Sequence, residues 1–177
     1  MRVLLFPVLI LASSSAFAAQ IKNAKCSDMA KLNENITPQY MAVIDGYDKA
    51  GKKVSEEIDM AGIVSESKKV TEQCAKHKSS KIDNVKKDLK NSSAASATAA
   101  PLNPLKAKCK DFVALGEDVQ PVAVFWIAGH DKSGKLKDGE VDEEFLAQPI
   151  ATLVEDCKAK PMASFYDKTK AWIKKHI

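Results

Sequence analysis

The chain contains one small unit twice. Shifting the numbering by 83 places Cys26 on Cys109 and Cys74 on Cys157, so both cysteine pairs stand 48 positions apart. Without a gap, the same shift brings Asp28 onto Asp111, Leu32 onto Leu115, Glu34 onto Glu117, Pro38 onto Pro121, Ile44 onto Ile127 and Gly46 onto Gly129. It continues through the turn Asp48-Lys49-Ala50-Gly51-Lys52 on Asp131-Lys132-Ser133-Gly134-Lys135, then Glu57 on Glu140, Asp59 on Asp142 and Glu72 on Glu155. Cysteines, proline and turn glycines held in step mean two copies of one small domain. The copies are expected at residues 20–90 and 106–177. Between them, 91–105 is rich in Ser, Ala, Thr and Pro, carries no charge, and reads as a flexible linker able to span tens of ångströms.

The first 19 residues read as an address label. Arg2, the apolar run Val3 to Ala12 and the pattern Ala16-Phe17-Ala18 make a secretory signal peptide and not a membrane span, with the mature chain expected to begin near Ala19. An exported compartment favours disulfides, and small domains need them. Four cysteines allow three connectivities, and the repeat selects Cys26 with Cys74 and Cys109 with Cys157. A zinc site is the rival reading, but no C-x-x-C spacing occurs and His77, His130 and His176 fall at non-equivalent places in the two copies. Closing each loop restricts the unfolded chain by about 4 kcal/mol in the loop-entropy account.

Each copy reads as helical, giving an all-α fold of about four helices per domain. Cys26, Met29 and Ala30, like Cys109, Phe112 and Val113, share a helix face at i, i+3, i+4. Pro38 and Pro121 suit the first turn of a second helix, with Thr37 as its cap in the first copy and Gly46 and Gly129 as its ends. A third helix carries the stripe Ile63, Ser67, Val70, Cys74, matched by Leu146, Ile150, Leu153, Cys157. A fourth has Ile82, Val85 and Leu89, matched by Phe165, Lys168 and Trp172. No window alternates with the period of a strand.

Catalytic and ligand-binding patterns are missing. The turn at Asp131 has Leu136 where a calcium loop requires glycine, and no nucleophile elbow, phosphate loop, dinucleotide fingerprint or spare cysteine occurs. The expectation is a protein that is not an enzyme and takes no cofactor or metal. Lysines are interspersed with acids and Arg2 is the sole arginine, so they read as a solvated surface and not as a nucleic-acid site.

Charge and one apolar stretch are more informative. Without Arg2 the chain carries 26 lysines, 3 histidines and 23 carboxylates, so acidification to near pH 2 takes its side-chain charge from about +3 to about +29. Such a charge opposes compact packing and any dimer while keeping a loosened chain in solution. The stretch Val122-Ala123-Val124-Phe125-Trp126-Ile127-Ala128 is apolar on every side of a helix, whereas a lone small domain buries one face. Its counterpart carries Tyr40, Met41, Val43 and Ile44. Part of this is core, and the remainder reads as a surface covered by a partner, the other copy being the nearest candidate.

The residues Cys-Lys-Asp-Phe-Val-Ala-Leu at 109–115, Val119-Gln120-Pro121 with the apolar helix, Gln148-Pro149-Ile150-Ala151-Thr152 through Cys157, and Phe165-Tyr166-Asp167-Lys168 with Trp172 resemble the HdeA/HdeB acid-stress chaperones of the bacterial periplasm. The first copy, with Cys26-Ser27-Asp28-Met29 and Cys74, is similar but more diverged. The resemblance implies small helical domains with one disulfide, dimeric at neutral pH. It implies that acid loosens them and exposes an apolar surface that holds unfolding clients until neutralisation. Carried over, Val122, Val124, Phe125, Trp126 and Ile127 form the client and dimer surface, with Tyr40, Met41, Val43 and Ile44 as the weaker counterpart.

A tandem departs from that pattern, and the expectation is an intramolecular pseudo-dimer of the two copies, with a homodimer as the alternative. Acids that recur in both copies are the pH-sensing candidates: Asp28 and Asp111, Glu34 and Glu117, Asp59 and Asp142, Glu72 and Glu155. Titration spread over many of them is expected, not a single switch. The leading function is a periplasmic, ATP-independent holdase for acid-unfolded proteins. The alternative is a constitutive binding or inhibitor module with one protein partner.

Overall fold

The structure, a computed structural model, describes residues 18–52, 57–92, 101–132 and 134–177. The expected signal peptide up to residue 17, and 93–100 of the expected linker, lie outside the described residues.

Four helices build the first copy: α1 (Cys26–Met29), α2 (Thr37–Lys49), α3 (Met60–Lys76) and α4 (Ile82–Ser92). The Lys25 backbone N–H donates to Asp28 Oδ2 at 3.0 Å, supplying one of the partners that a helix start lacks. Pro38 lies in the first turn of α2, where a missing N–H costs nothing. Thr37, expected as the cap, is instead the first helical residue, and its hydroxyl donates to the Asn33 carbonyl at 3.5 Å. The α3 cap is Asp59, whose Oδ1 accepts from the Gly62 N–H at 2.7 Å.

The second copy has α5 (Cys109–Val113), α6 (Gln120–Asp131), α7 (Glu143–Leu146), α8 (Ala151–Ala159) and α9 (Phe165–His176). Lys108 N–H donates to Asp111 Oδ2 at 2.8 Å, as in the first copy. The stripe Leu146, Ile150, Leu153, Cys157, expected on one helix, is divided between α7 and α8. Pro149, standing where the first copy has Glu66, lacks the N–H and pushes its predecessor out of helical backbone.

Disulfides join α1 to α3 through Cys26 and Cys74, and α5 to α8 through Cys109 and Cys157, the pairing the repeat selects. Backbone bonds then tie the first helix of each copy to its last: Cys26 N–H to Ser80 O and Cys109 N–H to Ala163 O, both 2.9 Å. Inside the second copy Phe112 stacks on Phe165 at 4.3 Å, and Phe125 meets Phe145 and Trp172 edge to face at 5.2 and 6.3 Å.

The fold is helical as expected, with one short departure. Strand β1 (Ala18–Gln20) pairs antiparallel with β2 (Glu140–Asp142), Ala19 opposite Val141. Three residues are too few to show a strand's alternation in sequence. The equivalent contact recurs with the copies exchanged, Leu102 matching Ala19 and Ile58 matching Val141: Ile58 N–H donates to Leu102 O at 2.8 Å and Leu102 N–H to Ile58 O at 3.1 Å. The segment leading into each copy therefore pairs with the other copy. Of the stretch expected as linker, Asn91 and Ser92 close α4, and at its far end Leu102 is buried in this bridge.

Candidate functional site

The most extensive helix contact among the described residues is between α2 and α6. Gly46 and Gly129 do not end these helices, as expected, but lie inside them at the crossing. A Cβ on Gly46 would run into the Trp126 carbonyl oxygen and come within 3.0 Å of the His130 backbone nitrogen. A Cβ on Gly129 would run into the Val43 carbonyl oxygen and come within 3.0 Å of the Tyr47 nitrogen. Trp126 and Val43, like His130 and Tyr47, are 83 apart, so the crossing is reciprocal. Bare backbone at both glycines lets the helices approach this closely.

All nine candidate client residues are buried. Val122, Val124, Trp126, Ile127, Tyr40 and Val43 are 0% exposed, and Phe125, Met41 and Ile44 no more than 2%. They do not share one role. Phe125 points into the aromatic core of its own copy, whereas the Trp126 indole crosses to the other, its Nε1 donating to Asp45 Oδ2 on α2 at 2.8 Å. Tyr40 donates its hydroxyl to the Gln20 carbonyl, fastening β1 to α2, and its burial holds the phenol well above the usual range. Covering α6 on its remaining sides are α9, α3 and α5.

Asp45 was not among the candidate pH sensors. Besides Trp126 it takes a hydrogen bond from Lys49 Nζ at 2.6 Å, with Lys86 Nζ at 4.0 Å. Burial opposes its charge, but the bonds from Lys49 and Trp126 and the charges of Lys49 and Lys86 outweigh it and hold the carboxyl below its usual range. Nearby Asp48 is moved the other way, by desolvation and then by the negative charge of Asp83. At the far end of α6, Asp131 accepts from Tyr166 at 2.9 Å and pairs with Lys170 at 3.0 Å, fixing α6 to α9. His130 stacks on Trp126 at 5.1 Å.

The recurring acids are not brought together. Asp28, Asp111 and Asp59 serve helix starts, Asp142 ends β2, Glu155 pairs with Lys158 on the surface, and Glu34, Glu72 and Glu117 are exposed. Asp45 does not recur, because its partner position is Ala128. The signal that marks it is an acid inside an apolar run, Met41-Ala42-Val43-Ile44-Asp45. Among the described residues no group of three or more His, Cys, Asp or Glu side chains could hold a metal ion, and no helix is long and apolar enough to cross a membrane.

These features define a class: a disulfide-stapled helical repeat protein in which the apolar second helix of each copy lies against its counterpart. The sequence model of the HdeA/HdeB family matches residues 2–84 and again 89–167, and the chain belongs to that family as a tandem. Among similar curated proteins is the "Probable acid stress chaperone HdeA" of Brucella ovis, 37% identical over 67 residues, which are 38% of this chain and 59% of that protein. A protein of the same name from Brucella melitensis matches to the same extent, and the "Acid stress chaperone HdeA" of Escherichia coli strain K12 is 32% identical over 62 residues, 35% of this chain and 56% of its own length. The chain thus spans less than two thirds of the curated relatives it matches. No solved structure matches it.

Proposed function

We propose that this protein is an acid-activated, ATP-independent holdase of the periplasm and not an enzyme, in which α2 and α6 cover each other at neutral pH and part in acid to hold unfolding proteins. The observation that carries this reading is α6, whose run Val122 to Gly129 is apolar on every side and buried throughout, with α2 of the other copy as its largest cover. In the single-domain family members that surface is expected to meet a second subunit. Here reciprocal glycine contacts and exchanged leading segments support an intramolecular pseudo-dimer, with the isologous character that a two-fold contact requires.

Acid acts by protonating carboxylates while 26 lysines keep their charge, so repulsion grows across a contact stapled only within each copy. Each disulfide limits how far its copy opens, so that helices separate without the chain becoming random. The names of the similar Brucella and Escherichia coli proteins support the acid-stress role. The expected signal peptide, with its Ala16-Phe17-Ala18 cleavage pattern, supports the periplasmic location.

The test is light scattering of an acid-sensitive client brought to pH 2 to 3 with the oxidised protein and then neutralised. Suppression in acid with recovery of the client is expected. An intact fold with no suppression between pH 2 and 5 would overturn the reading in favour of a constitutive module with one specific partner.

A further inference from the structure

Among the described residues, His130 is the one imidazole at the α2–α6 crossing, and neither the recurrence of acids nor the Asp45 network accounts for it. Both of its ring nitrogens are shut off from solvent and have no hydrogen-bond partner. An imidazole must donate from at least one nitrogen, and from both once protonated, so a site without acceptors tolerates the neutral ring far better than the cation. The ring lies nearly parallel to Trp126, at 15° between planes, on the indole that crosses to Asp45. Its backbone nitrogen sits where Gly46 makes the closest approach of the two helices.

The ionisable groups that the packed elements bring to this end of α6 are already engaged with each other. On α6 itself Asp131 takes Tyr166 and Lys170 of α9, and Lys132 lies over the Tyr47 ring of α2 at 4.1 Å. From α2, Asp45 holds Lys49 and Trp126; Lys86 of α4 lies between Asp45 and Glu66 of α3, and Asp48 faces Asp83 and Lys86. None of them reaches an imidazole nitrogen. Burial favours the neutral ring, the nearby Asp131 charge opposes this, and burial wins, leaving the histidine below its ordinary value of 6.5.

We propose that His130 is an acid trigger: a neutral imidazole whose unpartnered ring nitrogens lie in the crossing and whose protonation helps to part α2 from α6. This rests on the acid-opening reading above and adds a histidine to the groups that drive it. The sign follows from linkage. A histidine held below its unfolded value binds its proton more readily in the opened chain, so closure weakens as pH falls below about 6.5 and the loss is complete below the folded value. His130 stands at the position of Tyr47 in the first copy, so the trigger is one-sided, on the same helix face as Trp126.

The test uses the oxidised full mature chain. The His130 ring signals are followed by NMR from pH 7.5 to 3, together with tryptophan fluorescence, in the parent and in His130→Phe, which keeps a planar ring on Trp126 but takes no proton. The expected result is His130 titrating below 6.5 in step with the first fluorescence change. In H130F that change moves to lower pH, while the fully acid state is unchanged. A ring that titrates at or above 6.5 in the parent, or an H130F onset equal to the parent's, overturns the trigger and leaves acid opening intact. The parent titration decides the matter even if the variant folds poorly. No opening in either protein down to pH 2 overturns both readings.

Discussion

Replacing Gly46 with alanine tests the helix crossing at its tightest point. The new methyl would lie 3.0 Å from the Trp126 carbonyl carbon and the His130 nitrogen, and closer still to the Trp126 oxygen, all of them backbone atoms that cannot rotate away. An ordinary carbon to oxygen contact needs about 3.3 Å, so α2 and α6 must part by on the order of 1 Å. Overpacking of this kind costs about 1–3 kcal/mol, and alanine's better helix propensity returns up to about 1 kcal/mol. The expected net loss is about 1–2 kcal/mol in urea unfolding at pH 7. Gly129→Ala should lose as much, and the double variant less than twice as much, because the first methyl already spreads the crossing. If opening takes up a single proton, 2 kcal/mol moves its midpoint up by about 1.5 pH units, and by proportionally less for each further proton. Gly116→Ala is the control, since its methyl meets only an Asp118 side-chain oxygen at 2.8 Å. Stability in G46A or G129A equal to that of G116A would refute the close crossing.

Other expectations concern the charges and staples. Asp45→Asn should cost about 1.5–3 kcal/mol at pH 7, since it weakens charge-assisted bonds to Trp126 and Lys49. Because the Asp45 carboxyl is held below 3.8, its contribution is present above that pH and is lost as pH falls through the lower folded value; equal losses for D45N at pH 7 and pH 2 would contradict this. Asp48 carries the opposite sign, so Asp48→Asn should raise Tm at pH 7 and have no effect at pH 2, and a lower Tm at pH 7 would count against the Asp48–Asp83 repulsion. Removing the Cys109–Cys157 bond by a double alanine variant should lower stability by about 4 kcal/mol and leave the second copy expanded in acid, as size measurement at pH 3 would register.

Much of this architecture is legible because the chain repeats itself. A gapless shift of 83 pairs the cysteines correctly, and the helical spacing at Cys109, Phe112 and Val113 corresponds to α5. Glycine is ambiguous in sequence for a physical reason: near a helix it marks either an end or a close approach, and only the partner helix distinguishes the two. Pro149 was visible in sequence, yet the apolar stripe around it continued through the break, so periodicity alone joined α7 to α8. The all-round apolar stretch of α6 announced burial but could not separate Phe125, which fills its own copy, from Trp126, which crosses to the other. The repeat does not mark Asp45 or His130, because each belongs to one copy only, and Ala128 and Tyr47 occupy the matching positions. Their environment exists only once the two copies have met.

The central claim is that acid uncovers α2 and α6 while the disulfides hold. Hydrogen exchange of the oxidised protein, corrected for the intrinsic rate at each pH, measures this directly in peptides covering Thr37–Lys49 and Gln120–Asp131. The account predicts that both are among the most protected segments at pH 7 and lose that protection together at pH 3, with or without client present. Protection of both helices retained at pH 2 while a client is being held would contradict it, and would place the holding surface elsewhere on the molecule.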